Sequence, residues 1–410
     1  MVRKQKPKSA VVVFWSIFFL LVFLAPAYGQ DEIRLGILTS LTGALGTEGQ
    51  PCYETFTWTA EEINKIGPPL GKPIKLVVSD DATEVERGIA GAKKLITTDK
   101  VIGLLGPSSS IVVAIMKFCE DSGVPLISHW SGSTRLTTIG GQYQFRTCPD
   151  DFFEGYVAAQ FMKDMGWKSA GLIALNDEDT LSIANAFKKQ YAKGDFKIVA
   201  DVLINPDQTT YRTASTQVLN AKPDGVFFAI SVDTLKIVYR EMYEMGINFK
   251  TVLSANALQP STIELLGEAI EGAYGESPAN ALKSPAYEIF EKMYAAHMAD
   301  KTVSWFTPNA YDAMNIYALA IEAAKEASGK AISKFIREVA NPPGVEVYSY
   351  EQGVAELRKG NQINYEGASG PCDFDEFGNI VGNSRIEQAQ GGKWVEVKFY
   401  SGAELAKEIK

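Results

Sequence analysis

"VIGLLGPSSSIVVAIMKFCEDSGVPLIS", residues 101–128, decides the fold. Residues 101–106 are apolar without helical spacing and read as a strand. From 109 to 123 apolar residues return three and four apart, the period of a helix, and 124–128 is β-like again. A helical crossover of this kind returns the second strand parallel to the first. Strands that are apolar throughout, without alternation, belong to a sheet covered on both faces. The pattern extends outward from this stretch. Strands are expected at 33–40 and 74–81, with helices at 51–65 and 82–98. A second series follows, with helices at 151–166, 180–193, 211–221 and 233–245 and strands at 169–175, 197–204, 225–230 and 251–255. The fold class is therefore α/β, as two doubly wound lobes in tandem. Residues 279–340 return to helices, notably 309–328, and the end reads as a hairpin built from 372–382 and 394–400. No low-complexity linker separates the two series, so the late segments must pack back and the chain must cross repeatedly between the lobes.

A chain of 410 residues is too long for one ordinary core. It opens with Arg3, Lys4, Lys6 and Lys8, then an apolar run to about Leu24, then small residues at Ala25–Gly29. That is the form of a secretory signal peptide over 1–29, with an extracytoplasmic, periplasmic product. The whole chain carries a net charge of −9, and losing the four cations makes the remainder more acidic. This disfavours nucleic acid and anionic membranes as partners. The four cysteines lack CxxC spacing and the two histidines, His129 and His297, form no cluster. No metal, cofactor or Ser-His catalytic arrangement is legible, so an enzyme is not expected.

In an open α/β sheet, ligands lie beyond the carboxyl ends of the strands. Three such loops, 38–51, 105–110 and 127–134, are rich in Gly, Ser and Thr. The serines at 108–110 have four candidate uses: a phosphate, a nucleophile, a carboxylate, or simple helix capping. The first two lack their motifs, since neither GxxxxGK[ST] nor GxSxG occurs there. A cap and a carboxylate clamp remain compatible. In the second series the loop at 174–182 is acidic, with Asp177, Glu178 and Asp179. It reads either as a solvated helix cap or as a seat for a cationic amino group.

In order and spacing, "IRLGILTSLTGALGTEGQP", "VVSDDATEVERGIAGAKKLI", "VIGLLGPSSS", "GVPLISHWSGSTRLT", "FRTCPDD" and "YEGASGPCDFDEFGNIVG" resemble type I periplasmic binding proteins of the leucine/isoleucine/valine-binding branch. The resemblance implies two lobes joined by a three-strand hinge and closing on a small solute. It places lobe 1 at 30–147 plus 278–368 and lobe 2 at 148–277 plus 369–410. It implies a monomeric solute receptor that delivers to the membrane permease of an ABC transporter. A sensor for a signalling partner would use the same fold. By position, Ser110 holds a ligand carboxylate, with Trp130, Ser131 and Gly132 beside it. The family's aromatic contacts fall at Glu48, Asp179 and Ser231, and its amino-binding acid falls at Ala255 or Asn256. Glu48, Glu154 and Asp179 are the candidate replacement acceptors. The ligand implied is amino-acid-like, bearing a carboxylate or an amide, and is not a plain branched-chain amino acid. Cys148 and Cys372 flank two crossing segments and form a possible disulfide, the alternative being four free thiols.

Overall fold

The computed structural model describes residues 1–2, 32–279, 284–299, 301, 303–304, 306–402 and 404–405. The expected signal peptide lies outside the described residues apart from Met1 and Val2.

The first series forms β1 (Ile33–Thr39), α1 (Gly46–Ile66), β2 (Ile74–Asp80), α2 (Val85–Thr97), β3 (Leu104–Leu105), α3 (Ser109–Ser122), β4 (Leu126–Ser128) and β5 (Gln144–Arg146). The second forms α4 (Asp151–Asp164), β6 (Ser169–Leu175), α5 (Glu178–Tyr191), β7 (Lys197–Ile204), α6 (Arg212–Ala221), β8 (Gly225–Ala229), α7 (Val232–Glu244), β9 (Thr251–Leu253), α8 (Pro260–Leu266) and β10 (Tyr274–Ala279). After these come α9 (Pro285–His297), α10 (Thr307–Ala324), α11 (Gly329–Ala340), β11 (Val345–Val347), α12 (Tyr350–Lys359), β12 (Ile363–Tyr365), β13 (Asn383–Gln390) and β14 (Lys393–Tyr400).

The first sheet has the order β2-β1-β3-β4-β5, all parallel. The second runs β14-β13-β10-β9-β8-β6-β7, so its five parallel strands repeat that order and the antiparallel pair β13–β14 extends one edge. Both sheets therefore reverse strand order at their first strand, between β1 and β3 and between β6 and β8. The chain turns out of β3 at Gly106, where φ is +99° and a Cβ would stand 1.8 Å from the Leu38 carbonyl oxygen. Gly106→Ala is expected to cost about 1–3 kcal/mol through the left-handed backbone and this contact. A lower urea midpoint with unchanged slope is the readout, and an unshifted midpoint would contradict it.

Helix α10 runs through the first lobe, buried on every face from Thr307 to Ile321. Its Tyr317 hydroxyl bonds the Leu104 and Pro125 carbonyls at 3.0 and 2.6 Å, tying it to β3 and the start of β4. Asp312 accepts bonds from Tyr365, Ser369 and the Ala368 amide, which fastens the following segment to the same helix.

That segment corrects two expectations. Residues 369–380 do not belong to the second lobe: Cys372, Phe374 and Ile380 pack in the first-lobe core, and Asn341 clasps Phe374 through both backbone groups. The last crossing comes near 381–383, where Pro149 packs against Gly382. Nor does 372–382 form a strand of the final hairpin. Its apolar residues bury as a loop, and the partner of β14 is the more polar stretch 383–390.

Candidate functional site

A cleft of about 600 Å³ opens at the two points where strand order reverses. Loops after β1, β3 and β4 line one wall, and loops after β6, β8 and β9 line the other, with β10 at the hinge end. This is where the crevice geometry of open α/β sheets predicts a ligand.

The first wall is rich in donors. Ser108 is the N-cap residue of α3, yet its side chain makes no capping bond. The first-turn amides of such a helix have no intrahelical partner and favour anionic oxygen. Ser110 and Gly132 line the cleft. Trp130 also faces it, 8 % exposed, with its indole N–H unpaired. The ring is fixed by stacking on His129 at 4.8 Å and by an edge contact with Phe306 at 6.0 Å. Burial drives the His129 imidazole down to about 3, so it is neutral packing behind the tryptophan. The loop itself hangs on Arg146, which is fully buried. Its guanidinium donates to the Ser131 and Ser133 carbonyls at 3.4 and 3.0 Å and pairs with Asp150 at 2.9 Å.

The second wall is acidic. Glu154 accepts the Ala255 amide at 2.6 Å, and burial pushes its carboxyl up to about 8. Burial raises Asp179 to about 7, with Asp177 adding repulsion, and raises Asp151 and Glu276 well above the usual carboxylate range. Across the cleft, Glu48 in the first turn of α1 is raised to about 7 by the same desolvation. One oxygen each of Glu48, Asp151, Asp179 and Glu276 has no hydrogen-bond partner. Gly132 permits this crowding, because a Cβ there would stand 1.6 Å from Asp151 Oδ1. The lobes also touch beside the cleft. Ser133 donates to Glu178 at 2.7 Å, Arg135 pairs with Glu178 at 3.3 Å, and Thr134 meets Ser182 at 3.3 Å.

Of the nine residues singled out in the sequence, Glu48, Ser110, Trp130, Gly132, Glu154, Asp179, Ser231 and Asn256 all line this cleft. Ser131 does not. Its hydroxyl donates to Ser109 at 3.1 Å and its amide to Ser128 at 2.9 Å, so it braces the loop from behind. The Cys148–Cys372 bridge is corrected: all four cysteines are free and buried. Cys148 stands on the cleft wall, while Cys372 points into the first-lobe core toward the Gly370 carbonyl. Asp151, Glu276 and Phe306 also line the cleft and were not singled out. Asp151 lay within a quoted motif, "FRTCPDD". Glu276 lay in "AYGESPA", whose Gly and Pro disguised a strand.

Comparison with known proteins agrees with this architecture. A family model described as "Periplasmic binding protein" matches residues 32–393. The Leu/Ile/Val-binding protein BraC3 of Rhizobium johnstonii is 26 % identical over 302 residues, covering 72 % of this chain and 80 % of the relative. The leucine binding protein LivK of Thermotoga maritima superposes with a TM-score of 0.78 at 21 % identity, over 90 % of this chain and 99 % of the other. A solute binding protein of an ABC transporter from Rhodopseudomonas palustris, solved with 3,4-dihydroxy benzoic acid, gives 0.76 at 17 % identity, over 91 % and 98 %. With the family model spanning both lobes and both sheets in place, the chain belongs to the periplasmic binding protein family.

Proposed function

We propose that this protein is the extracytoplasmic solute receptor of an ABC importer. It binds an amino-acid-like solute between its lobes without chemical change and presents it to the membrane permease as a monomer. One observation carries the reading: a single cleft sets unpaired donors on one wall against unpaired carboxylates on the other. A solute with an acidic or amide end and a cationic end satisfies both. The acid end lies at Ser110 and the first turn of α3, with the Trp130 N–H beside it, and the ammonium faces Asp179 and Asp151. The relatives named for leucine, isoleucine and valine support the amino-acid class, and the benzoate-type neighbour supports an acid head group.

Titration calorimetry and thermal unfolding with a panel of amino acids, amides and aromatic acids test this. A ligand at a hundredfold excess over its dissociation constant should stabilise the fold by about 2.7 kcal/mol. Conversion of any bound solute to product would overturn the receptor reading. Ser110→Ala is expected to weaken binding of a carboxylate ligand by about 1.5–3 kcal/mol, the scale of a hydrogen bond to a charged group. Unchanged affinity would remove Ser110 from the site.

A further inference from the structure

The cleft holds far more carboxyl groups than one ammonium requires. Among the described lining residues are ten carboxylates and no lysine, arginine or histidine. Asp150 is accounted for by Arg146 behind the wall. Four of the others form a continuous electrostatic chain: Asp151 and Asp179 repel each other, Asp179 repels Glu154, and Glu154 repels Glu276. The chain starts beside the serine loop, where the Ser109 hydroxyl lowers the Asp179 carboxyl, and ends on β10 at the hinge.

Glu276 is the decisive member. It is 1 % exposed, lines the cleft, and one of its carboxylate oxygens has no partner, while Ser384 bonds the other. Arg385 lies near enough to lower its carboxyl, and the guanidinium also approaches Glu387 and Glu396, at 3.6 and 3.9 Å. Buried carboxyls in this number stay protonated until a counter-charge arrives, and a bound cation can ionise them. One α-ammonium, placed at Asp179 and Asp151 next to the donors for its own carboxylate, leaves Glu154 and Glu276 unmatched.

We propose that the solute is a dibasic amino acid, with its side-chain cation seated between Glu154 and Glu276 at the hinge end of the cleft. This rests on the receptor reading above. The carboxylate meets Ser110 and α3, the α-ammonium meets Asp179 and Asp151, and the aliphatic stem spans toward β10. Closing the lobes would desolvate both cations against fixed carboxylates, which discriminates strongly against an uncharged side chain.

Calorimetric titration with lysine, ornithine and arginine, against norleucine, glutamine and the diamine cadaverine, separates the possibilities. At least one dibasic amino acid should bind a hundredfold or more tighter than norleucine, which has nearly the same stem without the terminal ammonium. Glu276→Gln should cut that preference at least tenfold. Glu154→Gln serves as the second variant if the first fails to fold by circular dichroism. Norleucine or glutamine binding within threefold of every dibasic amino acid would overturn the inference and leave the amino-acid receptor standing. Cadaverine binding as tightly as lysine would overturn the carboxylate contact and the amino-acid class while upholding the two cation seats. Binding of benzoate-type acids alone would overturn both.

Discussion

Arg146→Met should destabilise the protein by about 3–5 kcal/mol, because removing one member of a buried ion pair strands the other. Arg146 is among the largest fully buried side chains of the described residues and makes three separate attachments, to Asp150 and to the carbonyls of Ser131 and Ser133. Asp150 would keep only its bonds to Thr137 and the Phe152 amide. The loss should extend beyond stability, since the freed loop carries Trp130 and Gly132 into the cleft. Arg146→Lys should recover only part of the stability, because an ammonium cannot reach the carboxylate and both carbonyls in the same planar fork. Urea unfolding of the three chains measures this. A methionine variant within about 1 kcal/mol of wild type would show that the pair contributes little.

Ligand-free protein should lose stability as the pH rises from about 4.5 to 8. Glu48, Glu154 and Asp179 have folded-state carboxyls near 7, 8 and 7, above their unfolded values. Each therefore holds a proton when folded that the unfolded chain has already released. The contribution is complete below the unfolded value and is lost as the pH climbs through the folded one. One carboxyl moved from 4.5 to about 7 corresponds to about 3 kcal/mol. Asp179 and Glu154 repel each other, so their shares overlap rather than add. Thermal unfolding across this range, repeated with Glu154→Gln, is the measurement. The variant should flatten the profile and a bound cationic solute should oppose it. Stability that stays level or rises from pH 5 to 8 in the wild-type protein would refute the assignment.

Most of the architecture was legible because it follows from local period. The helix at 109–122 and the strands 169–175 and 197–204 repeat their apolar pattern within one element, and nothing distant changes the reading. The loops of the cleft followed from topology, since strand ends in an open sheet must deliver their loops to one edge. What escaped depended on contacts far apart in sequence. The stretch 372–382 has a strand's alternation, but Phe374 and Ile380 find the first-lobe core before they find a strand partner. Ser131 has the chemistry of a ligand contact and is spent on Ser109. Glu276 sits between Gly275 and Pro278, residues that argue against a strand interior, and its strand exists because β9 and β13 flank it.

The path of the chain also sets an order of assembly. The parallel sheet of the second lobe is made from one uninterrupted stretch, β6 to β10, so most of its core can close once residue 279 is available, with Ile386, Ala389 and Leu405 added later. The first lobe cannot do the same. Its strands β1 to β5 are made first, but the helix that fills their centre, α10, arrives only at residue 307, and Phe374 and Ile380 arrive later still. During synthesis the earliest segment must wait with its apolar faces open while the middle of the chain folds. Non-local pairing of this kind is slow and leaves sticky surface exposed. The parallel sheet that is first in sequence is thus covered later than the one made second, and has the greater need of a chaperone.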